Sequence, residues 1–262
     1  MCIVRSVGKG GVNDRADVKT VQVLLNLNQH RLGGLAPLAP DGAIGDKTRT
    51  AIETFQAREM GLTAPSGLVE PGSPTLKALA AGMPPGLSLE KIQGVMIHAD
   101  DDSVGTFADM LIAKMAARAI DTPLRQAHFL AQVGHESGEL RFREEIASGE
   151  QYNGRVDLGN TEPDDGPRFK GRGLIQLTGR ANYRAYGTAI GVDLLSDNQW
   201  TRVATDADLA ADVACWFWQT RGLNPLADND DVEAITRKIN GGTNGIEDRR
   251  RQLARAQFFL GA

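Results

Sequence analysis

Glu136 and Glu145 are the residues whose type and setting come nearest to a reaction. Glu136 closes the apolar run Phe129-Leu130-Ala131-Gln132-Val133-Gly134-His135 and is followed at once by Ser137-Gly138, a position from which a carboxyl can point into a cleft instead of a solvated face. Partial burial there disfavours charge and preserves the proton that a general acid needs near neutral pH. Glu145 stands nine positions later in Arg143-Glu144-Glu145-Ile146, where flanking arginines favour the ionised form. One carboxyl that keeps its proton and one that has lost it suit glycoside hydrolysis: the first protonates the leaving oxygen, and the second activates water or attacks carbon. Spacing alone does not separate such a pair from glutamates on a solvated helix, and Glu144 can face the cleft as well as Glu145.

Other chemistries fail on spacing. The histidines are His30, His98, His128 and His135, and His135-Glu136 continues into Ser137-Gly138-Glu139 instead of the x-x-His that completes a zincin helix. His128 and His135 can share a helix face, but no third ligand stands at a recognisable spacing, so a zinc site is not expected. Cys2 and Cys215 lie almost the whole chain apart, one at an end expected to fray and one in the apolar segment 213–218, and suggest neither a disulfide framework nor a thiol nucleophile. Gly171-Arg172-Gly173 follows no strand and lacks the Gly-Lys-Ser/Thr of a phosphate loop.

A chain of 262 residues, 41% hydrophobic and 24% charged, reads as globular with about two domains. Residues 1–82 carry +2 and the rest −6 of the net charge of −4, without the basic footprint of a nucleic-acid binder. The apolar stretches 21–27 and 110–120 are interrupted by Asn26, Lys114 and Arg118, well short of the ~18 residues of a membrane span. The start shows no basic segment, apolar run and cleavage site, so the protein is expected to remain in the cytoplasm or to leave through a pore made by another protein.

Ala81-Gly82-Met83-Pro84-Pro85-Gly86 breaks helix and marks the boundary: residues 1–82, a linker at 83–86, and residues 87–262. Before it, Asp17 is expected to cap a helix carrying Val18, Val21, Leu24 and Leu25 on one face. A second helix begins near Asp46 with Ala51, Ile52 and Phe55, and a third at Ser73-Pro74 with Leu76 and Leu79. The entries Asp41-Gly42-Ala43 to Thr48 and Ser66-Gly67-Leu68 to Thr75 repeat each other. After the linker, helix is expected from residues 87–93, along the core stripe Met110, Leu111, Met115 and Ala119, and from Thr122-Pro123 towards His135. Strand signals are weak, and residues 149–173 form a long loop of the kind that carries function. The C-terminal segment 248–260 is helical in pattern, with Leu253, Ala256 and Leu260 on a packed face.

Val18-Lys19-Thr20-Val21-Gln22-Val23-Leu24-Leu25-Asn26, Asp41-Gly42-Ala43-Ile44-Gly45-Asp46-Lys47-Thr48 and Phe55-Gln56 together resemble the peptidoglycan-binding module found at the ends of many cell-wall hydrolases, over nearly all of residues 5–80. His128-Phe129-Leu130-Ala131-Gln132-Val133-Gly134-His135-Glu136-Ser137-Gly138, Phe169-Lys170-Gly171-Arg172-Gly173-Leu174-Ile175-Gln176-Leu177-Thr178 and Ile239-Asn240-Gly241-Gly242-Thr243-Asn244-Gly245 closely resemble glycoside hydrolase family 19, over about residues 87–262. That family holds plant-type chitinases and the lysozymes called endolysins.

The resemblance implies a mainly α protein: a small three-helix binding module and a larger, mostly helical lysozyme-like catalytic domain. It implies Glu136 as general acid, Glu145 as base and Thr178 as a residue that helps to position the attacking water. Gln176, Asn182, Tyr183, Asn240 and Arg249 match positions that line or support the sugar cleft, with His135 supporting the acid. No metal or organic cofactor is implied. Glu145 is preferred to Glu144 because it holds the spacing from His-Glu-Ser-Gly in the endolysin branch. Two departures stand out: plant-type chitinases are cysteine-rich and secreted, and Asn244 stands where they carry an acidic residue, so the network around Arg249 can differ. The implied function is that of a modular phage endolysin, a monomer that cuts peptidoglycan between N-acetylmuramic acid and N-acetylglucosamine by inversion. It would reach the wall from the host cytoplasm through a separate pore, binding neither nucleic acid nor, stably, membrane. The alternatives are a chitinase, a non-catalytic wall-binding protein and a lytic transglycosylase.

Overall fold

Short polar side chains start the helices near the positions that the apolar spacing suggests. In the computed structural model, which describes residues 2–262, β1 (Val7–Gly8) leads to α1 (Arg15–Leu27), whose first turn is closed by the Asp14 carboxylate accepting from Ala16 N–H. Asp17, expected as that cap, lies one turn further in. Its carboxylate accepts from the N–H groups of Val4 and Arg5 at 3.0 and 2.7 Å, which ties the incoming chain to the helix and buries Cys2 instead of letting the end fray. α2 (Asp46–Met60) ends at the left-handed Gly61. β2 (Leu68–Val69) pairs antiparallel with β1, α3 (Pro74–Ala81) starts on the Ser73 cap, and α4 (Leu89–Val95) starts on Ser88. Val18, Val21, Leu24, Leu25, Ile52, Phe55 and Leu79 form the core between these helices.

The repeated helix entries have one physical cause. Gln22 on α1 donates its amide to the Asp41 carboxylate at 3.0 Å, the Ala43 carbonyl at 3.1 Å and the Thr48 hydroxyl at 3.2 Å, and accepts from Gly42 N–H at 2.9 Å. Gln56 on α2 does the same with Ser66 (3.2 Å), Leu68 (2.9 Å) and Thr75 (3.1 Å), accepting from Gly67 N–H at 2.9 Å. Gly42 and Gly67 have φ of 74° and 65°, which a side chain would strain. Each buried carboxamide thus binds a glycine turn to the first turn of the next helix.

The chain divides into two compact units, one of residues up to His98 together with Leu253–Ala262, the other Ala99–Gln252. This differs from a break at 83–86. α4 packs on α1, and Gly94, where a Cβ would lie 2.4 Å from the Phe259 ring, lets the chain's end pack closely. Arg255 reinforces this by donating to the Gly94 carbonyl at 2.7 Å and to the Thr20 hydroxyl.

The second unit opens with α5 (Asp101–Ala117) and α6 (Pro123–Glu136), the latter capped by Thr122 with Pro123 in its first turn. Leu111 and Met115 of the expected stripe are buried, but Ala119 lies past the helix at φ 55°. Short turns of helix at Glu150–Tyr152, Val156–Leu158 and α7 (Asp165–Arg168) order the stretch expected as loop. There follow α8 (Arg180–Ile190), α9 (Arg202–Thr205), α10 (Ala207–Thr220), α11 (Asn224–Asp228), α12 (Val232–Asn240) and α13 (Ile246–Leu260). α10 packs on α5, α6 on α11, and Phe129 meets Trp218 edge-on at 5.5 Å. The architecture is mainly α. Among the described residues no helix is long and apolar enough to cross a membrane.

Gln56→Leu leaves the buried Gly67 N–H and Thr75 hydroxyl without their partner, and Gln22→Leu does so for Gly42 and Thr48. Each is expected to lower stability by about 1–3 kcal/mol, the cost of stranding buried polar groups, measured by thermal or urea unfolding. Unchanged unfolding of both variants would contradict this account of the repeat.

Candidate active site

Glu136 is the last residue of α6, and the chain beyond it is bent sharply away. Gly138, Glu139 and Leu140 all have positive φ (57°, 59° and 67°), a cost of roughly 1–2 kcal/mol for each non-glycine residue. Ser137 holds the bend: its buried hydroxyl donates to the Val133 carbonyl at 2.6 Å and accepts from Leu140 N–H at 2.8 Å, while Leu140 itself is buried. The carboxyl of Glu136, 16% exposed, accepts through Oε1 from Arg249 of α13. Arg249 is 1% exposed and also donates to Gln132, one helical turn before Glu136 on α6. The cleft position expected for Glu136 is met, but its neighbour is a cation. Oε2 has no protein partner among the described residues.

His135 does not bond Glu136. Its Nδ1 lies 2.7 Å from the Asp248 carboxylate, next in sequence to Arg249, and a Cβ on Gly245 would lie 2.3 Å from its ring. Burial alone would raise the Asp248 carboxyl, but hydrogen bonds and charge from His135 and Arg251 outweigh it and hold the group below the usual aspartate range.

Glu145 is positioned by backbone pairing. Its N–H donates to the Gly171 carbonyl at 2.9 Å, Gly173 N–H to the Arg143 carbonyl at 2.8 Å, and Arg172 exchanges bonds with Leu177, so residues 143–145, 171–173 and 177 lie side by side. Its Oε2 therefore meets Gly171 N–H at 3.1 Å, and its Oε1 accepts from Gln151 at 3.2 Å and the Tyr152 hydroxyl at 3.1 Å. A carboxylate offers about four acceptor positions, so about one remains for a water. Burial, with the Glu145 charge, raises the Tyr152 hydroxyl, which keeps its proton available as a donor. At Gly171 a Cβ would lie 2.8 Å from Gln176 Oε1 and 3.3 Å from Glu145 Oε2, so a side chain there would displace the Gln176 carboxamide.

Glu136 and Glu145 line one cleft of about 330 Å³ together with Gln176, Thr178 and Asn240. Gln176 holds φ 55° in the tight turn 173–176 and donates to the Gly173 carbonyl at 3.1 Å. Thr178 donates its hydroxyl proton to the Gln176 carbonyl at 2.9 Å, so towards the cleft it can only accept. Asn182 stands behind, donating to the Thr178 carbonyl at 2.7 Å. Tyr183 is fully buried and donates to the Lys170 carbonyl at 2.9 Å; burial raises its hydroxyl well above the usual range. Asn240 braces its own loop, accepting from Gly242 N–H and donating to the Asn244 carbonyl. Of the sequence candidates, Asn182, Tyr183, Arg249 and His135 support the cleft instead of lining it.

Several expectations need correction. The arginines flanking Glu145 do not face it: Arg141 donates to the Gly138 carbonyl and Arg143 lies over the Phe107 ring at 5.9 Å. Glu144 does not line the cleft. It pairs with the buried Arg172 at 2.9 Å and with Lys170 at 3.3 Å. Tyr152, Gln151, Arg155 and Leu158 were not anticipated, although the Gly- and Asn-rich composition of 149–173 signals the segment that carries them. His128 is buried against Asp230 in the core, and burial pushes the Cys215 thiol up to about 12, far from a nucleophile's range. Among the described residues no group of three or more His, Cys, Asp or Glu could hold a metal ion.

Comparison with known proteins finds matches in both parts of the chain. Residues 114–239 match the family model described as chitinase class I, and residues 14–79 match a peptidoglycan binding domain. A glycosyl hydrolase family 19 domain-containing protein of Haemophilus influenzae is 34% identical over 157 residues, which is 48% of this chain and 75% of that protein. An endochitinase of Arabidopsis thaliana is 40% identical over 116 residues, 44% of this chain but only 38% of the relative. Chitinase C of Streptomyces griseus shares the fold at a TM-score of 0.55 and 23% identity, over 67% of this chain and 77% of that structure. The chain therefore belongs to glycoside hydrolase family 19, and carries a peptidoglycan-binding module ahead of its family 19 domain.

Proposed function

We propose that the protein is a peptidoglycan hydrolase that cuts the glycan between N-acetylmuramic acid and N-acetylglucosamine, with inversion at the anomeric carbon. The observation that carries this reading is the peptidoglycan-binding module on the same chain as a family 19 domain whose cleft gathers Glu136, Glu145 and Thr178. In the proposed reaction Glu136, held through one oxygen by Arg249, gives the proton on its other oxygen to the glycosidic oxygen as the C1–O bond breaks. A water donates one hydrogen to Glu145 and the other to Thr178, which turns its lone pair towards C1 from the opposite face. As the new C–O bond forms, its proton passes to Glu145 and returns to Glu136 through solvent. Gln176 and Asn240 contact the sugar, and Asn182 and Tyr183 keep the Thr178 loop in place.

The biological role that follows is that of a phage endolysin, acting as a monomer and released from the host cytoplasm to the wall through a separate pore. A second reading, chitinase, is favoured by the similarity to plant endochitinases. Mass spectrometry of digested walls separates the readings. Hydrated chains ending in N-acetylmuramic acid support the proposal, and anhydro ends indicate a lytic transglycosylase. Faster release from colloidal chitin than from walls indicates a chitinase, and binding without cleavage indicates a non-catalytic protein.

Glu136→Gln keeps an acceptor for Arg249 but has no proton to give, so kcat/KM is expected to fall at least ~10² with the fold retained. Tyr152→Phe removes one donor from Glu145 and is expected to lower kcat about tenfold, on the scale of one charge-assisted hydrogen bond, with an unchanged melting temperature. Full activity in either variant would refute the role given to that residue. Proton NMR of a freshly cut β-linked substrate is expected to show the α-anomer first; a β-anomer would point to retention.

A further inference from the structure

We propose that Arg155 is the residue that distinguishes peptidoglycan from chitin, by binding a carboxylate carried on the 3-O-lactyl branch of the glycan. The proposal rests on the peptidoglycan reading above and names the contact that would give it specificity.

Among the described residues that line the cleft, Arg155 carries the only positive charge, alongside the two carboxyls of Glu136 and Glu145. Arg249 already pairs with Glu136 from behind the cleft, so Arg155 is the cation that an acidic polymer would meet from the cleft side, whereas neutral chitin would be indifferent to it. Arg155 is fixed in place. Its N–H donates to the Tyr152 carbonyl at 3.3 Å, and its own carbonyl accepts from Leu158 and Asn160 N–H at 3.0 and 3.1 Å. Its side chain is held as well: Nε and Nη2 donate to the two oxygens of Asp157 at 2.8 and 2.6 Å. That leaves Nη1, with two protons, for an acceptor from outside the protein. The guanidinium is half exposed, so an incoming carboxylate can reach it.

The chemistry of the two glycans supplies the match. Chitin and the peptidoglycan glycan share their backbone, but on every second sugar peptidoglycan replaces the 3-hydroxyl by a lactyl ether. That branch presents a methyl group and then a chain bearing carboxylates. Chitin carries no carboxylate, so the guanidinium can tell the two glycans apart by charge. The carboxylate can be the lactyl group's own, free when the peptide is removed, or one on the attached peptide.

The test compares kcat/KM on purified peptidoglycan with kcat/KM on a chitin oligosaccharide, using the full chain. Arg155→Gln is expected to lower the peptidoglycan-to-chitin ratio about tenfold, mainly through KM, and Arg155→Lys to recover part of it. Asp157→Asn, which releases the guanidinium from its internal partner, is expected to raise the ratio. Added salt should lower the ratio of the parent protein more steeply than that of Arg155→Gln. Equal loss on both substrates, or an unchanged ratio in Arg155→Gln, overturns the proposal while leaving the hydrolase reading intact. A parent protein that cuts chitin and not peptidoglycan overturns both, and shows it before any variant is made. Repeating the comparison on glycan stripped of peptide by an amidase identifies the source: an Arg155 effect that persists points to the lactyl carboxylate, and one confined to intact peptidoglycan points to the peptide. Either outcome supports the contact.

Discussion

The catalytic unit depends on one buried charge. Arg249 is almost wholly removed from water, and a guanidinium in that position is tolerated only if counter-charge and acceptors meet it. Gln132 and Glu136 supply both, because residues four apart on an α-helix stand one above the other on the same face. The requirement acts in both directions. It fixes the start of α13 against the end of α6, and it fixes one oxygen of Glu136 while leaving the other without a protein partner among the described residues. Asp248, the residue before Arg249, extends the same seam to His135 at 2.7 Å.

Glu145 is held by different means. Neutral donors surround it: the Gly171 N–H, set in place by the strand-like pairing of residues 143–145 with 171–173, and the Gln151 amide and Tyr152 phenol from the helical turn Glu150–Tyr152. One carboxyl is gripped by a cation from behind and the other is cradled by neutral donors, so the two stand in different environments. The left-handed backbone at Gln176 and Leu140 is the conformational cost of bringing them to one cleft.

Much of this was legible in the sequence where a local rule governs. Ser73-Pro74 and Thr122-Pro123 announced helix starts, and the recurrence of Asp41-Gly42 to Thr48 in Ser66-Gly67 to Thr75 announced the paired turns that Gln22 and Gln56 hold. What depends on contacts distant in sequence was not legible. Asp17 satisfies N–H groups twelve and thirteen residues away, so the cap fell to Asp14. The two-residue strands β1 and β2 are too short to show alternation. The end of α13 carries the apolar period of a packed helix, but only Gly94 and Thr20, more than 150 residues earlier, determine which compact unit it joins. Tyr152 and Arg155 sit in a segment whose composition marks flexibility, and their roles follow from turns that no periodic pattern encodes.

The most direct test of the account is Arg249→Lys, assayed for kcat alongside a melting curve. Lysine preserves the charge but cannot reach Gln132 and Glu136 with the two arms of a planar fork. If Arg249 positions the acid, kcat falls by about 10² or more, the scale of general acid catalysis, while the family 19 unit still unfolds cooperatively. A folded Arg249→Lys protein with parental kcat would contradict the claim that this buried contact places Glu136 for proton transfer.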